Sequence, residues 1–501
     1  MTILICGASG LVGKEICNLL DSNKIKYYGT YNTNKINKKN MFKIDFLDII
    51  KLNKFLVDKK ITVCVFLIVQ RLTDICEGNW DEIKKINIDM VNHTSFLCDK
   101  LNIRFIHLST DYVFDGTKQP NYTDSIPNPL QNYGISKLLS EFKVLTNCKN
   151  FCIVRTPVLY SNKCLLHENA VTLIGKKIMD LRKKNILEDN FCIRRPLYVK
   201  DLCFFILDII NNNNIGIYHF YNPVNKYTKY TINNIISNFL GINNDNIIPN
   251  NTKSEGLAKR PYDTKLLDNK YDINDYIFTD FNTSINYCFD KFKLPPFKKI
   301  VNDIFFLIDL DGTLINSNLV HYNSYKNVFK NRKKKFISFE KWNEIIDKSN
   351  INLYLKEYFQ ENEIANIKTE KIKEFKKQDI EYCKNSKNFL NFLINNNINF
   401  CIVTNTSIKT VEIIKNKLPI FNLVKKWIVR ENYINQKPNK ECYELAMNKY
   451  YNKEKYIIGI EDSNVGFNSL KNVANIIYIF NNEEIYKKND CYLFDDYNQI
   501  L

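Results

Sequence analysis

Two short apolar runs, each closed by a glycine-bearing turn, constrain this 501-residue chain more than any other feature. The first opens the chain in "MTILICGASGLVGKEI". The second, "IFFLIDLDGTL", begins just past residue 300. Each has the length of a buried strand, and each starts a series of similar runs separated by stretches of helical period. "KYYGTY", "TVCVFLI", "RFIHLST" and "FCIVRTP" follow the first; "NFCIVTN", "KWIVREN", "YIIGIED" and "NIIYIF" follow the second. Strands alternating with helices predict parallel βαβ units, so the expected fold class is α/β, twice over. One core seldom serves a chain of this length. The break falls at "FDKFKLPPFKKI", where Pro295 and Pro296 stand among lysines. It predicts a first domain at 1–290, a linker at 291–301 and a second domain at 302–501. A lysine- and glutamate-rich stretch of helical period, about 316–398, reads as an insertion into the second sheet. No internal repeat relates the halves.

Composition narrows the function. The formal net charge is +17, but lysine is spread along the chain with asparagine and isoleucine, and no nucleic-acid-binding motif accompanies it. Arg332, Lys333, Lys334 and Lys335 form one basic run, which reads as a solvated face rather than a docking site. The 15 cysteines include no CxxC pair and read as reduced thiols. No leader precedes the first strand and no apolar run approaches the length of a membrane span, so the expected compartment is cytoplasmic, with no membrane and no nucleic-acid partner.

Gly7, Gly10 and Gly13 make a G-x-x-G-x-x-G turn between strand and helix, where backbone amides can approach a pyrophosphate. The next strand ends without an acidic residue, and Lys35 and Lys38 follow it. They suit a ribose 2′-phosphate, hence NADP over NAD, or are surface lysines. Farther on, Tyr133 and Lys137 lie four apart on a helical stretch and share one face. Lowering a phenol from its usual pKa near 10 by about three units takes roughly 4 kcal/mol, which a nearby ammonium can supply. Thr110, at the end of a strand, is placed to hydrogen-bond a substrate carbonyl.

"HLSTDYVFDGTKQPNYTDSIPNPLQNYGISKLLSE", followed in order by "VRTPVLY", "RRPLYVKDL" and "AKRPYDTKLL", resembles the extended short-chain dehydrogenase/reductase family. Within it the stretch is most similar to the dTDP-4-dehydrorhamnose reductases and the regulatory β subunits of methionine adenosyltransferase. The resemblance implies a Rossmann-type doubly wound parallel sheet with a small substrate-binding lobe. It implies NADP(H) held by Gly7, Ser9, Gly10, Leu11, Val12, Gly13, Lys35, Asp45, Tyr133 and Lys137. A hydride would pass to a 4-keto-6-deoxy nucleotide sugar, with Tyr133 protonating the alkoxide. Two departures weigh toward a regulatory module instead: Ile68 and Val69 replace small residues facing the cofactor, and Ser161 follows Tyr160 where Tyr-Gly is usual.

In the second half "DLDGTL", "CIVTNTS", "QKPNKECY" and "GIEDSNVG" resemble, in order, the four motifs of the haloacid dehalogenase superfamily, in the branch with a helical cap. The resemblance implies Asp309 as nucleophile, Asp311 as acid and base, and Thr404 and Lys437 as partners of the phosphoryl group. It implies Mg²⁺ held by Asp309, Asp311 (through its backbone carbonyl) and Asp462, with Glu461 assisting. His321 reaches toward the substrate from the cap or serves structure. "KNSKNFL" lacks the Pro-Gly common before the second strand of this fold. Together the halves predict a bifunctional enzyme: a ketoreductase joined to a phosphatase for a phosphorylated small molecule, a sugar phosphate first. Expected partners beyond substrates are further copies in a homo-oligomer or, for a regulatory first half, a methionine adenosyltransferase catalytic subunit.

Overall fold

The computed structural model describes residues 1–253, 256–293, 303–347 and 351–500. Residues 294–301 of the expected linker, with both prolines, lie outside the described residues. The chain divides into two compact units, Met1–Lys177 with Asn185–Asp290, and Ile178–Lys184 with Lys291–Leu501.

The first unit is built on seven parallel strands: β1 (Ile3–Cys6), β2 (Tyr27–Tyr31), β3 (Met41–Lys43), β4 (Val63–Phe66), β5 (Arg104–Thr110), β6 (Phe151–Thr156) and β7 (Gly216–His219). Their order is β7-β6-β5-β4-β1-β2-β3. Strand alternation splits their side chains between two cores. Ile3, Ile5, Val63 and Val65 pack with Leu202 and Ile206 on one face, while Leu4, Cys6, Cys64 and Phe66 pack with Val91 and Leu97 on the other. Burial on both faces explains why the central strands read as unbroken apolar runs. The chain leaves β1 toward β2 and β3, then returns to β4 on the other side, so the glycine turn after β1 sits at a topological switch point. Two helices border that point: α1 (Leu11–Ser22), directly after the turn, and α2 (Asn132–Asn147). A separate two-stranded parallel pair joins Ile186–Asp189 to Ile247–Asn250.

The second unit repeats the principle with β8 (Ile304–Ile308), β9 (Asn399–Val403), β10 (Trp427–Ile428), β11 (Tyr456–Glu461), β12 (Ile476–Phe480) and β13 (Tyr492–Phe494). All run parallel, in the order β10-β9-β8-β11-β12-β13, and β8 is flanked by β9 and β11 at the switch point. The insertion between β8 and β9 is helical. α3 (Asn318–Asn331) and α4 (Ile364–Lys376) bracket Phe339–Asp347 and Ile351–Lys356 around Tyr325, Phe329, Trp342 and Leu355. Ser386–Asn395, inside the expected insertion, packs instead on the sheet, the Phe389 ring edge-on to Phe306 at 5.6 Å. Among the described residues no helix is long and apolar enough to cross a membrane, and no disulfide joins the cysteines.

Candidate active sites

In the first unit, the turn after β1 is shaped by close approach. A Cβ on Gly13 would lie 2.2 Å from the Gly7 carbonyl oxygen, so α1 can start this tightly only on a glycine. Gly13→Ala is therefore expected to destabilise the first unit by about 1–3 kcal/mol through overpacking, read as a lower midpoint in thermal unfolding. The turn borders a cleft of about 1080 Å³, and every residue of the expected cofactor set lines it except Lys35. Lys35 lies exposed in the loop beyond β2, and Lys38 is drawn away to Asp21 at 2.7 Å. Lys43 is the lysine at that wall.

α2 brings Tyr133 and Lys137 to the same cleft, its first turn capped by the Gln131 side chain, which accepts from Gly134 N at 2.6 Å. The electrostatics differ from expectation. Lys137 Nζ donates to the Leu108 carbonyl at 2.8 Å and lies 3.0 Å from His107 Nε2. Burial pushes its pKa down to about 7 and holds His107 well below its ordinary value, helped by the Lys137 charge. Burial raises the Tyr133 phenol. The ammonium is thus tied to β5 rather than lowering the phenol. Thr110 has its hydroxyl on Asp111 Oδ1 at 3.1 Å rather than free for a carbonyl. Ile68 and Val69 do face the cleft, with Ile68 Cγ1 only 3.2 Å from where a Cβ on Gly7 would stand. Ser161 is buried, accepts from Lys163 N at 3.0 Å and does not line the cleft.

In the second unit three strand ends converge. Asp309 follows β8, Thr404 follows β9, and Glu461 and Asp462 stand at the end of β11. One carboxylate oxygen from each of Asp309, Glu461 and Asp462 lies within 4.8 Å of the others. Lys437 Nζ donates to Asp309 Oδ1 and to Glu461 Oε1, each at 2.6 Å, and the Tyr443 hydroxyl donates to Glu461 Oε1 at 2.7 Å. Burial, then the Glu461 charge, pushes Asp309 up to about 7 against the pull of Lys437. Asp462 is raised well above the carboxylate range by burial and by Asp309. With all three carboxyls ionised, as a cation would hold them, one ammonium leaves two negative charges in a largely buried, all-oxygen donor set, which fits a hard divalent cation. Gly312, at φ +80°, permits this crowding, since a Cβ there would lie 2.1 Å from Asp462 Oδ2.

The Asp311 side chain stands apart from that cluster. Its Oδ1 accepts from Ser317 Oγ at 2.5 Å and lies 3.0 Å from His321 Nε2, and its Oδ2 accepts from Thr406 Oγ1 at 2.6 Å and Thr404 Oγ1 at 3.2 Å. Burial alone would raise it, but His321, Ser317 and Thr406 hold it well below the usual range. His321 belongs to α3, and its Nδ1 lies 2.6 Å from Lys371 Nζ of α4. Burial and the Lys371 charge keep the imidazole below its ordinary value.

Residues 1–294 match the family model of the RmlD substrate binding domain, and residues 306–479 match that of haloacid dehalogenase-like hydrolases. The chain belongs to the RmlD substrate-binding-domain family. Its second half is haloacid dehalogenase-like. The RmlD half is 28% identical over 268 residues to methionine adenosyltransferase 2 subunit beta of Xenopus tropicalis, covering 52% of this chain and 79% of that protein. It is 28% identical over 219 residues to the spore coat polysaccharide biosynthesis protein SpsK of Bacillus subtilis (strain 168), covering 43% and 72%. The dTDP-4-dehydrorhamnose reductase of Bacillus anthracis str. Ames, solved in complex with NADP, shares the fold. Its TM-score is 0.50 at 21% identity, over 58% of this chain and 98% of that one.

The RmlD cleft also contains residues that the motifs did not single out. Arg194, Lys229 and Arg260 line it from three separate segments; the first and last lie in the quoted "RRPLYVKDL" and "AKRPYDTKLL", but that the three form one basic wall is visible only in the fold. In the hydrolase half Thr406 and Tyr443 lie inside quoted motifs without having been given a role, Ser317 stands just beyond one, and Lys371 lies in the insertion, outside all of them.

Proposed function

We propose that the first half is an NADP(H)-dependent reductase of a 4-keto-6-deoxy nucleotide sugar, and that the second is a Mg²⁺-dependent phosphatase for a small phosphorylated metabolite, a sugar phosphate first. One observation carries this reading. In each unit the chemically apt side chains meet at the carboxyl ends of the strands beside the switch point, where α/β sheets bind ligands. When bound, a nicotinamide supplies hydride and a dication supplies charge neutralisation. The Gly7–Gly13 turn would hold the first, and Asp309, Glu461, Asp462 and the Asp311 backbone carbonyl the second.

The chain's own groups do the rest. Tyr133 gives its proton to the new alkoxide, with the Lys137 cation beside β5. Asp309 attacks phosphorus as the bond to the leaving oxygen breaks, with Lys437 and Thr404 offsetting charge on the phosphoryl oxygens. The hydrogen bonds on Asp311 favour its carboxylate form; it takes the proton of an incoming phosphate monoester monoanion, passes it to the leaving oxygen, and then takes one from the water that releases phosphate. NADPH oxidation with such a nucleotide sugar is the test for the first half. Tyr133→Phe is expected to slow it about 10²–10⁴-fold. Release of phosphate from a panel of sugar phosphates, phosphoglycolate and nucleotides tests the second half, and a preference outside sugars would overturn the sugar-phosphate reading.

A second reading is favoured by Ile68 and Val69, whose bulk stands against the glycine turn. On it, the first half regulates a methionine adenosyltransferase catalytic subunit, as the name of the Xenopus relative suggests. Absence of turnover together with capture of that subunit from solution would select it.

A further inference from the structure

We propose that Asp111 sets the direction in which the Thr110 hydroxyl points its proton, and so decides whether Thr110 can donate to a substrate carbonyl. The proposal rests on reading the first half as a reductase. A threonine hydroxyl has one proton and two lone pairs. Here the proton goes to Asp111 Oδ1 at 3.1 Å, and one lone pair accepts from Tyr112 N at 3.2 Å. In that arrangement Thr110 can accept from the cleft but has nothing left to give it. The other Asp111 oxygen accepts from the Thr264 hydroxyl. Asp111 is 6% exposed, so its carboxylate has little water to turn to.

Protonation of Asp111 reverses the pattern. Its new O–H donates to Thr110 Oγ1, and the Thr110 hydroxyl rotates to aim its own proton into the cleft. No bond within Thr110 breaks; the only proton gained is the one on Asp111. Tyr133, which lines the same cleft, and Thr110 can then both donate to a carbonyl oxygen, as reduction needs. The carboxylate form leaves Thr110 an acceptor, which suits an alcohol and the reverse reaction. Asp111 is therefore a positioning residue acting through Thr110.

The charged and titratable groups facing Asp111 are Arg194, which favours its ionised form, and the Tyr133 phenol, which a negative Asp111 raises. Burial outweighs Arg194 and the two threonine hydrogen bonds, and pushes the carboxyl up to about 6. The reversal thus falls within a testable range.

NADPH oxidation by the full chain with a 4-keto-6-deoxy nucleotide sugar, between pH 5 and pH 9, is the first measurement. Above the Asp111 value, kcat/KM is expected to fall by about tenfold per pH unit. In Asp111→Asn the amide N–H donates to Thr110 at every pH, so this limb disappears while the Lys137 titration stays. Identical profiles would overturn the proposal. A second measurement needs no turnover: the ¹³Cζ resonance of Tyr133, assigned with Tyr133→Phe. In the unaltered chain it should inflect where Asp111 titrates, and in Asp111→Asn the phenol should titrate lower. A Tyr133 resonance blind to Asp111 overturns the proposal. A clear inflection in a chain that reduces no such sugar supports the coupling and refutes the reductase reading instead.

Discussion

Asp309→Asn is expected to abolish phosphate release by the hydrolase half, by at least about 10³-fold, while making the metal-free protein more stable above neutral pH. The two effects have one cause. On the proposed mechanism Asp309 is the carboxylate on which the attack depends, and it sits buried within reach of Glu461 and Asp462. Its folded value of about 7, against an ordinary value of 3.8, means that ionising it costs folding free energy. The sign follows from linkage. Near pH 4 the folded carboxyl is protonated and asparagine changes little. As pH rises from about 4 to 7 the wild-type chain loses stability that the variant keeps, and above that range the difference is constant. Urea midpoints in EDTA at pH 5 and pH 8 read this directly. Added Mg²⁺ should stabilise the wild type by mass action and the variant less. A variant less stable than wild type at pH 8 without metal would show that the carboxylate cluster is not repulsive.

The fold was legible wherever burial was two-sided. β1, β4, β5 and β6 in the first unit, and β8, β9, β11 and β12 in the second, are apolar runs because both faces of each strand meet a core. β3, β7 and β13 were missed because they are three- or four-residue strands at the sheet edges, too short for any period. Site residues at strand ends, Asp309, Thr404 and Asp462, were legible because a strand followed by a polar residue fixes a position at the sheet's edge. Electrostatic pairing was not. That Lys137 turns to Leu108 and His107 rather than to Tyr133 depends on side-chain direction within α2. That Lys371 meets His321 depends on two cap helices, α3 and α4, fifty residues apart in sequence. Lys35 stands outside the cleft lining for a simpler reason: proximity to β2 in sequence does not place a loop lysine at the cleft.

Lys437→Met is expected to be the most destabilising single change in the hydrolase half, costing about 3–5 kcal/mol. Lys437 is 3% exposed, and its three N–H groups are shared among four acceptors, Asp309, Glu461, the Tyr443 hydroxyl and the Val403 carbonyl, the last two at 2.9 and 3.0 Å. Methionine preserves most of the volume but leaves two buried carboxylates without their cation. Despite burial, the charges of Asp309 and Glu461 hold Lys437 well above its ordinary value. Stability due to this lysine is therefore fully present below its unfolded value and is lost only in strongly alkaline solution. Between pH 5 and pH 8 any pH dependence of the deficit must come from the carboxylates. Protonating Asp309, at and below about pH 7, removes one of the uncompensated charges. The deficit should therefore be largest at pH 8, shrink toward pH 5, and be partly relieved at pH 8 by Mg²⁺, which supplies the missing positive charge. Denaturant midpoints of both proteins at the two pH values, with and without the metal, separate the explanations. A deficit equal at pH 5 and pH 8 and indifferent to Mg²⁺ would mean that Lys437 supports the fold by packing alone, and that the carboxylates do not depend on its charge.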